Sequence, residues 1–142
     1  MTENRETFFA RLEPHFSRRE LLDIQLAYMM AKYGHRAQVR KENDEEGHPL
    51  RYFEHLRRTA LNVIDVAQLF ERDVIISALL HDSLEDTKDL TADLIEHSFG
   101  ENVVRMVKSL SKVPKEGYID RLKSTENWRV YLLKACDRLD NL

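Results

Sequence analysis

Apolar residues along this chain recur at spacings of three and four, and strict alternation of apolar and polar positions is almost absent. That rhythm predicts helices throughout. A first helix is expected within residues 3–12, stopping before Pro14. Ser17, with Glu20 three residues on, reads as a capping box that opens a second helix. Leu21, Leu22, Ile24, Leu26, Ala27, Met29 and Met30 carry that helix to Gly34. Residues 40–49 are polar and acidic, contain Gly47, and read as a loop. A helix over 52–70 follows, with the stripe Leu56, Ala60, Val63, Ala67 and Phe70. The next, over 73–85, contains the run VIISALL and is apolar enough to be buried on most sides. Thr91 is placed to cap a short helix that Gly100 ends. Further helices are expected over 101–111, 118–123 and 126–141, with Pro114 and Gly117 marking a turn.

The chain has 142 residues, which suits one domain around one core, and no repeat or low-complexity segment divides it. Residues 1–142 therefore read as a single all-α domain. The hydrophobic fraction of 42% is enough for a packed interior, and the charged fraction of 33% implies a heavily solvated surface. With a net charge of −3 and no long Lys/Arg run, nothing resembles the footprint of a duplex-binding protein. A small anionic ligand needs only a local basic pocket. Cys136 is the single cysteine, so no internal disulfide can form, which fits a reducing compartment. The start, MTENRETFF, lacks an apolar signal core, and no apolar stretch approaches a membrane span. A cytoplasmic protein with no membrane partner is the expectation.

Candidate chemistry begins where the apolar run Val74 to Leu80 passes directly into His81, Asp82, Ser83, Leu84, Glu85 and Asp86. A carboxylate buried without a partner costs several kcal/mol, so a buried helix ending in such residues must pair them, bind a metal or protonate them. His81 and Glu85 are four apart, as are Asp82 and Asp86, so each pair shares a face of a continuous helix. The alternative is that Glu85, Asp86 and Asp89 are solvated charges at an exposed end. In the last helix the core-facing line Val130, Leu133 continues into Asp137 and then Asn141. Asp137 reads as a ligand or as half of a pair with Lys134, Arg138 or Arg129. His55 lies beside the stripe of its own helix and gains meaning only from the set. Together His55, His81, Asp82 and Asp137 supply two imidazoles and two carboxylates, a mixture that suits Mn²⁺, Fe²⁺ or Zn²⁺ and leaves positions for water and a phosphate oxygen. Arg40 and Lys41 are adjacent cations available to a phosphate, or ordinary surface charges.

These residues, in this order, resemble the HD superfamily, and more closely the hydrolase domain of RelA/SpoT homologues, including their small single-domain animal type. The matching pieces are His35 and Gln38 followed by Arg40 and Lys41, then Tyr52 with His55, then the strings ALLHDSLEDT and KACDRLDN, with Phe99-Gly100 and Ser111-Lys112 between. The resemblance covers most of the chain after about residue 25. It implies a helical bundle around one divalent metal, most often Mn²⁺, with His55, His81, Asp82 and Asp137 as ligands. It implies hydrolysis of the 3′-diphosphate of guanosine tetra- or pentaphosphate, the nucleotides of the stringent response. Glu85 and Asp86 match the pair that activates water; Arg40, Lys41 and Asn141 match nucleotide contacts. Another nucleotide, such as the 2′-phosphate of NADPH, or a non-catalytic binding module are the alternative readings. The chain departs from the family pattern in three places: residues 42–54 are longer and more acidic, Leu56 follows His55, and Asp140 stands where many long members have His. Family members usually continue past the position of Leu142 with helices that wall the base pocket. The chain therefore reads as a truncated piece or as a domain with a more open pocket.

Overall fold

The computed structural model describes residues 3–142. Helix α1 (Arg5–Leu12) is opened by an Asn4 capping box and runs into a 3₁₀ turn, Glu13–His15, at Pro14. Helix α2 (Arg18–Gly34) starts at the expected Ser17/Glu20 box, in which each side chain takes the other's backbone N–H. It buries Ile24, Ala27, Tyr28 and Ala31, while Leu22, Leu26 and Met29, counted among its apolar positions, face outward.

Residues 40–49 are not a loop. They belong to an antiparallel hairpin, β1 (Val39–Asn43) and β2 (Pro49–Arg51), paired with a register irregularity between Val39 and Asn43. Its strands bury no face, so no alternation marked them in the sequence. The turn is built by the Asp44 carboxylate, which accepts from the Glu46 and His48 amides at 2.9 Å each, and by Gly47 at φ +85°.

Helix α3 (Tyr52–Asp65) follows at once, and Leu56, Ala60 and Val63 are buried as the stripe required. It ends five residues earlier than its periodicity suggested. The amides of Val66 and Ala67 both return to the Asn62 carbonyl, and Gln68 adopts a left-handed φ of 54°. A helix stop made without glycine leaves no compositional signal.

Helix α4 (Arg72–Leu80) is the centre of the molecule: every residue from Val74 to Leu80 is buried. It packs against α2, α3, α9 (Trp128–Asp140) and α7 (Glu101–Leu110). The expected helix over 73–85 breaks at His81 and Asp82 and resumes as the single turn α5 (Ser83–Asp86). The His81 Nδ1 sits 2.7 Å from the Ala78 carbonyl, the group an unbroken helix would pair with the Asp82 amide. Helix α6 (Ala92–Phe99) is capped by Thr91 and ends at Gly100, φ +100°, from which α7 departs. Helix α8 (Tyr118–Ser124) leads to α9. Among the described residues, no helix is long and apolar enough to cross a membrane.

Candidate metal centre

Three elements converge at one end of α4. The α3 helix supplies His55, the α4–α5 break supplies His81 and Asp82, and α9 supplies Asp137. Ligand atoms of these four residues all lie within 4.8 Å of one another. Asp137 Oδ1 is 2.8 Å from His55 Nε2 and 3.2 Å from His81 Nε2. Asp82 Oδ2 is 3.1 Å from His81 Nε2 and 3.8 Å from His55 Nε2. Both rings are buried, with centroids 5.5 Å apart.

The far side of each ring is held. His81 Nδ1 faces the Ala78 carbonyl at 2.7 Å, and His55 Nδ1 faces Asp140 Oδ2 at 2.6 Å. A carbonyl or an ionised carboxylate only accepts, so each Nδ1 carries hydrogen and each Nε2 is turned to the common point. Tyr52 donates its hydroxyl to Asp82 Oδ2 at 2.6 Å. Such outer contacts orient metal ligands. Two Nε2 atoms and two carboxylate oxygens around one point fit a divalent first-row cation.

The electrostatics agree with that fit. Burial disfavours charge on His81, but the Asp82 and Asp137 carboxylates outweigh it and hold the imidazole pKa well above 6.5. His55 is likewise raised against burial, by Asp137 and Asp140. Burial would raise Asp82 and Asp137, yet hydrogen bonds and charge from the imidazoles hold both carboxyls well below the ordinary range. The four groups thus form a tightly coupled set of buried opposite charges, into which a cation substitutes for protons.

Beside this set, Asp82, Glu85 and Asp86 bring carboxylate oxygens within 4.8 Å of one another. They stand at i, i+3 and i+4, and the Asp86 amide bonds the Asp82 carbonyl at 3.1 Å, so this single turn keeps the three on one side, as the four-residue spacing of Asp82 and Asp86 required. Burial first, and then the neighbouring carboxylates, raise the pKa of both Glu85 and Asp86. Glu85 is also hydrogen-bonded by the Lys112 amide.

The hairpin forms the next wall. Arg40 donates to Asn141 Oδ1 at 2.8 Å and lies 3.3 Å from Glu42, which also accepts from Arg58 at 2.7 Å. Arg40, Lys41, Tyr52 and Asn141 line a cavity of about 440 Å³ with Val39 and Glu42. The longer acidic segment therefore contributes Glu42 as a counter-charge to two arginines.

All four residues expected to gather around a metal are together, and Arg40, Lys41 and Asn141 share one cavity. Of the pairings open to Asp137, Lys134 alone is realised, 3.5 Å from its second oxygen; Arg129 pairs with Glu71. Sequence reasoning missed the roles of Tyr52, Arg58, Asp140 and the link from His35 through Gln38. His35 Nδ1 meets Gln38 Oε1 at 2.9 Å, and Gln38 donates to the Asp86 carbonyl at 2.5 Å, tying α5 to the hairpin. Two signals were available: His55 and Arg58 are three apart on α3, and Asp137 and Asp140 are three apart on α9.

Comparison with known proteins bears on the whole arrangement. The family model described as HD domain matches residues 27–142. A guanosine-3′,5′-bis(diphosphate) 3′-pyrophosphohydrolase of Aquifex aeolicus is 39% identical over 129 residues, covering 84% of this chain and 17% of that protein. The bifunctional (p)ppGpp synthase/hydrolase SpoT of Escherichia coli K12 is 30% identical over 131 residues, with 84% and 17% covered. The chain thus spans about a sixth of the length of these relatives. A solved structure of a metazoan SpoT orthologue, described as hydrolysing ppGpp and acting in starvation responses, superposes with a TM-score of 0.68 at 30% identity, covering 84% of this chain and 67% of that one. With that match over most of its length, this chain belongs to the HD-domain family, as a homologue of the SpoT/RelA (p)ppGpp hydrolases.

Proposed function

We propose that residues 1–142 act as one metal-dependent phosphohydrolase domain that hydrolyses the 3′-diphosphate of guanosine tetra- and pentaphosphate to pyrophosphate and GDP or GTP. The observation that carries this reading is the meeting of His55, His81, Asp82 and Asp137 beside a second carboxylate group, Glu85 and Asp86. A binding module has no need of that second group. The names of the Aquifex and metazoan relatives supply the substrate.

His55, His81, Asp82 and Asp137 would hold one divalent cation, with manganese the first candidate. When bound it supplies Lewis acidity toward a phosphoryl oxygen and a lowered pKa for water. Glu85 and Asp86 orient the attacking water and take its proton as the water oxygen bonds to phosphorus and the bond to O3′ breaks. Their raised pKa values suit proton acceptance near neutrality better than a solvated carboxylate would. Arg40 and Lys41 neutralise phosphate charge, and Asn141 holds Arg40 at the cavity edge. The lone, buried Cys136 is consistent with work in a reducing cytoplasm.

The direct test incubates the protein with Mn²⁺ and guanosine tetraphosphate and measures released pyrophosphate. Turnover abolished by chelation supports the proposal. A folded, metal-loaded protein that releases none, but cleaves another phosphorylated nucleotide such as NADPH, reassigns the substrate.

A further inference from the structure

Asp140 takes no part in the steps above, yet few side chains in the molecule are more fully engaged. It lies in the last turn of α9, three residues after Asp137, and its side chain is 7% exposed. One oxygen, Oδ2, faces His55 Nδ1 at 2.6 Å. The other, Oδ1, accepts from Arg58 Nε at 2.5 Å, and Oδ2 lies 3.3 Å from Arg58 Nη2 and 3.9 Å from Arg40 Nη2. A single carboxylate therefore touches a ring of the candidate metal centre and both guanidiniums beside the basic cavity.

We infer that Asp140 is a positioning residue that fixes the His55 ring as an Nε2 ligand while anchoring Arg58 and Arg40 at the cavity edge. The inference rests on the proposed metal-holding role of His55. Its chemistry is that of an acceptor-only group behind an imidazole. Hydrogen is confined to Nδ1, the ring cannot rotate freely, and the electron pair on Nε2 points at the shared centre. The neighbouring Asn141 completes the arrangement by accepting from Arg40 at 2.8 Å. Arg58 balances the buried carboxylate, which would otherwise lie beside a neutral ring with its charge uncompensated. Metal site and phosphate-facing edge are then parts of one hydrogen-bonded unit.

The test measures Zn²⁺ affinity of the metal-free full chain by competition with a chromophoric chelator, for wild type, Asp140→Ala, Asp140→Asn and Arg58→Met. We expect Asp140→Ala to bind zinc about 10–100-fold more weakly, the usual loss for such an outer partner. Asp140→Asn should lose less, because its amide oxygen still accepts from Nδ1, and Arg58→Met should lose less than Asp140→Ala, because the acceptor behind Nδ1 remains. Independently, long-range ¹H–¹⁵N spectra of the zinc-loaded wild type, with the signal assigned by its loss in His55→Gln, should place the His55 proton on Nδ1. That readout needs no Asp140 variant to fold. In turnover assays Asp140→Asn should raise KM as well as reduce metal occupancy, since Arg40 loses an anchor. Unchanged zinc affinity in both Asp140 variants overturns the inference and leaves the metal centre standing, whereas a His55 proton on Nε2 overturns the inference and also removes that nitrogen from the ligand set. Equal weakening in Arg58→Met and Asp140→Ala also overturns it, by assigning the effect to the charge network. Failure of the wild type itself to bind zinc removes the metal reading and this inference with it.

Discussion

At the scale of single residues, two sets of carboxylates sit a few ångströms apart in opposite electrostatic situations. Asp82 and Asp137 are held ionised against burial by imidazoles, whereas Glu85 and Asp86 are pushed toward the neutral form by burial and by other carboxylates. Groups with diverging proton affinities are how acid–base assignments are recognised. The first set suits a permanent cation and the second suits proton transfer. We expect His81→Ala or Asp137→Ala to abolish metal binding and turnover together, as read by elemental analysis and pyrophosphate release. Unchanged metal content in Asp137→Ala would remove it from the ligand set. By contrast, Glu85→Gln or Asp86→Asn should keep the metal and lower kcat by about 10²–10⁴-fold, the range for loss of a general base. Arg40→Ala should raise KM with little change in metal content, and wild-type kinetics would exclude it from the substrate cavity.

Among the elements, α4 and its break matter most. An apolar helix buried on every side is held by packing, and its end can be spent on chemistry because neighbours on α2, α3, α7 and α9 fix its position. Leu79 is fully buried there. Leu79→Ala should cost about 2–5 kcal/mol by leaving a cavity, measured by chemical denaturation. A cost under 1 kcal/mol would mean the core collapses around the gap. The continuous helix expected over 73–85 was a reasonable reading of the run VIISALL, which does continue its period into His81. Nothing in local preference reveals that the His81 ring occupies the carbonyl that would have carried the helix on. The hairpin was illegible for a related reason: its two strands bury no face, and pairing between distant backbone groups leaves no period in the side chains. Ser17, Glu20, Thr91 and Gly100 act over three or four residues, and all four were legible.

For the whole molecule, protonation and metal binding are linked. The raised His55 and His81 pKa values give the metal-free protein stability that is complete below about 6.5 and fades as pH climbs through the folded values. The lowered Asp82 and Asp137 values give stability present above about 3.8 and lost on acidification. A cation must displace the imidazole protons, so its binding strengthens as pH rises. The gain in Tm on adding Mn²⁺ should therefore be larger at pH 8 than at pH 6, in line with mass action. An equal gain at both values would show that no proton leaves the site on binding. A cation held there would bind the folded chain alone, because the donors come from α3, α4–α5 and α9 and meet only after packing.

The amino-acid sequence alone determined the helical class, most element boundaries marked by caps and glycines, and the identity of the metal-centre candidates. The first two follow from periodicity and capping residues, which are local properties; His81, Asp82 and Asp137 follow from polar residues placed on apolar lines, and His55 only from the set that resembles the HD superfamily. Tertiary structure decided the rest: the break at His81 and Asp82 that ends α4 beside His55 and Asp137, the hairpin that carries Arg40 to Asn141, and the contact of Asp140 with His55. Each joins groups whose meeting depends on how helices cross, and a one-dimensional pattern carries no record of crossing angles.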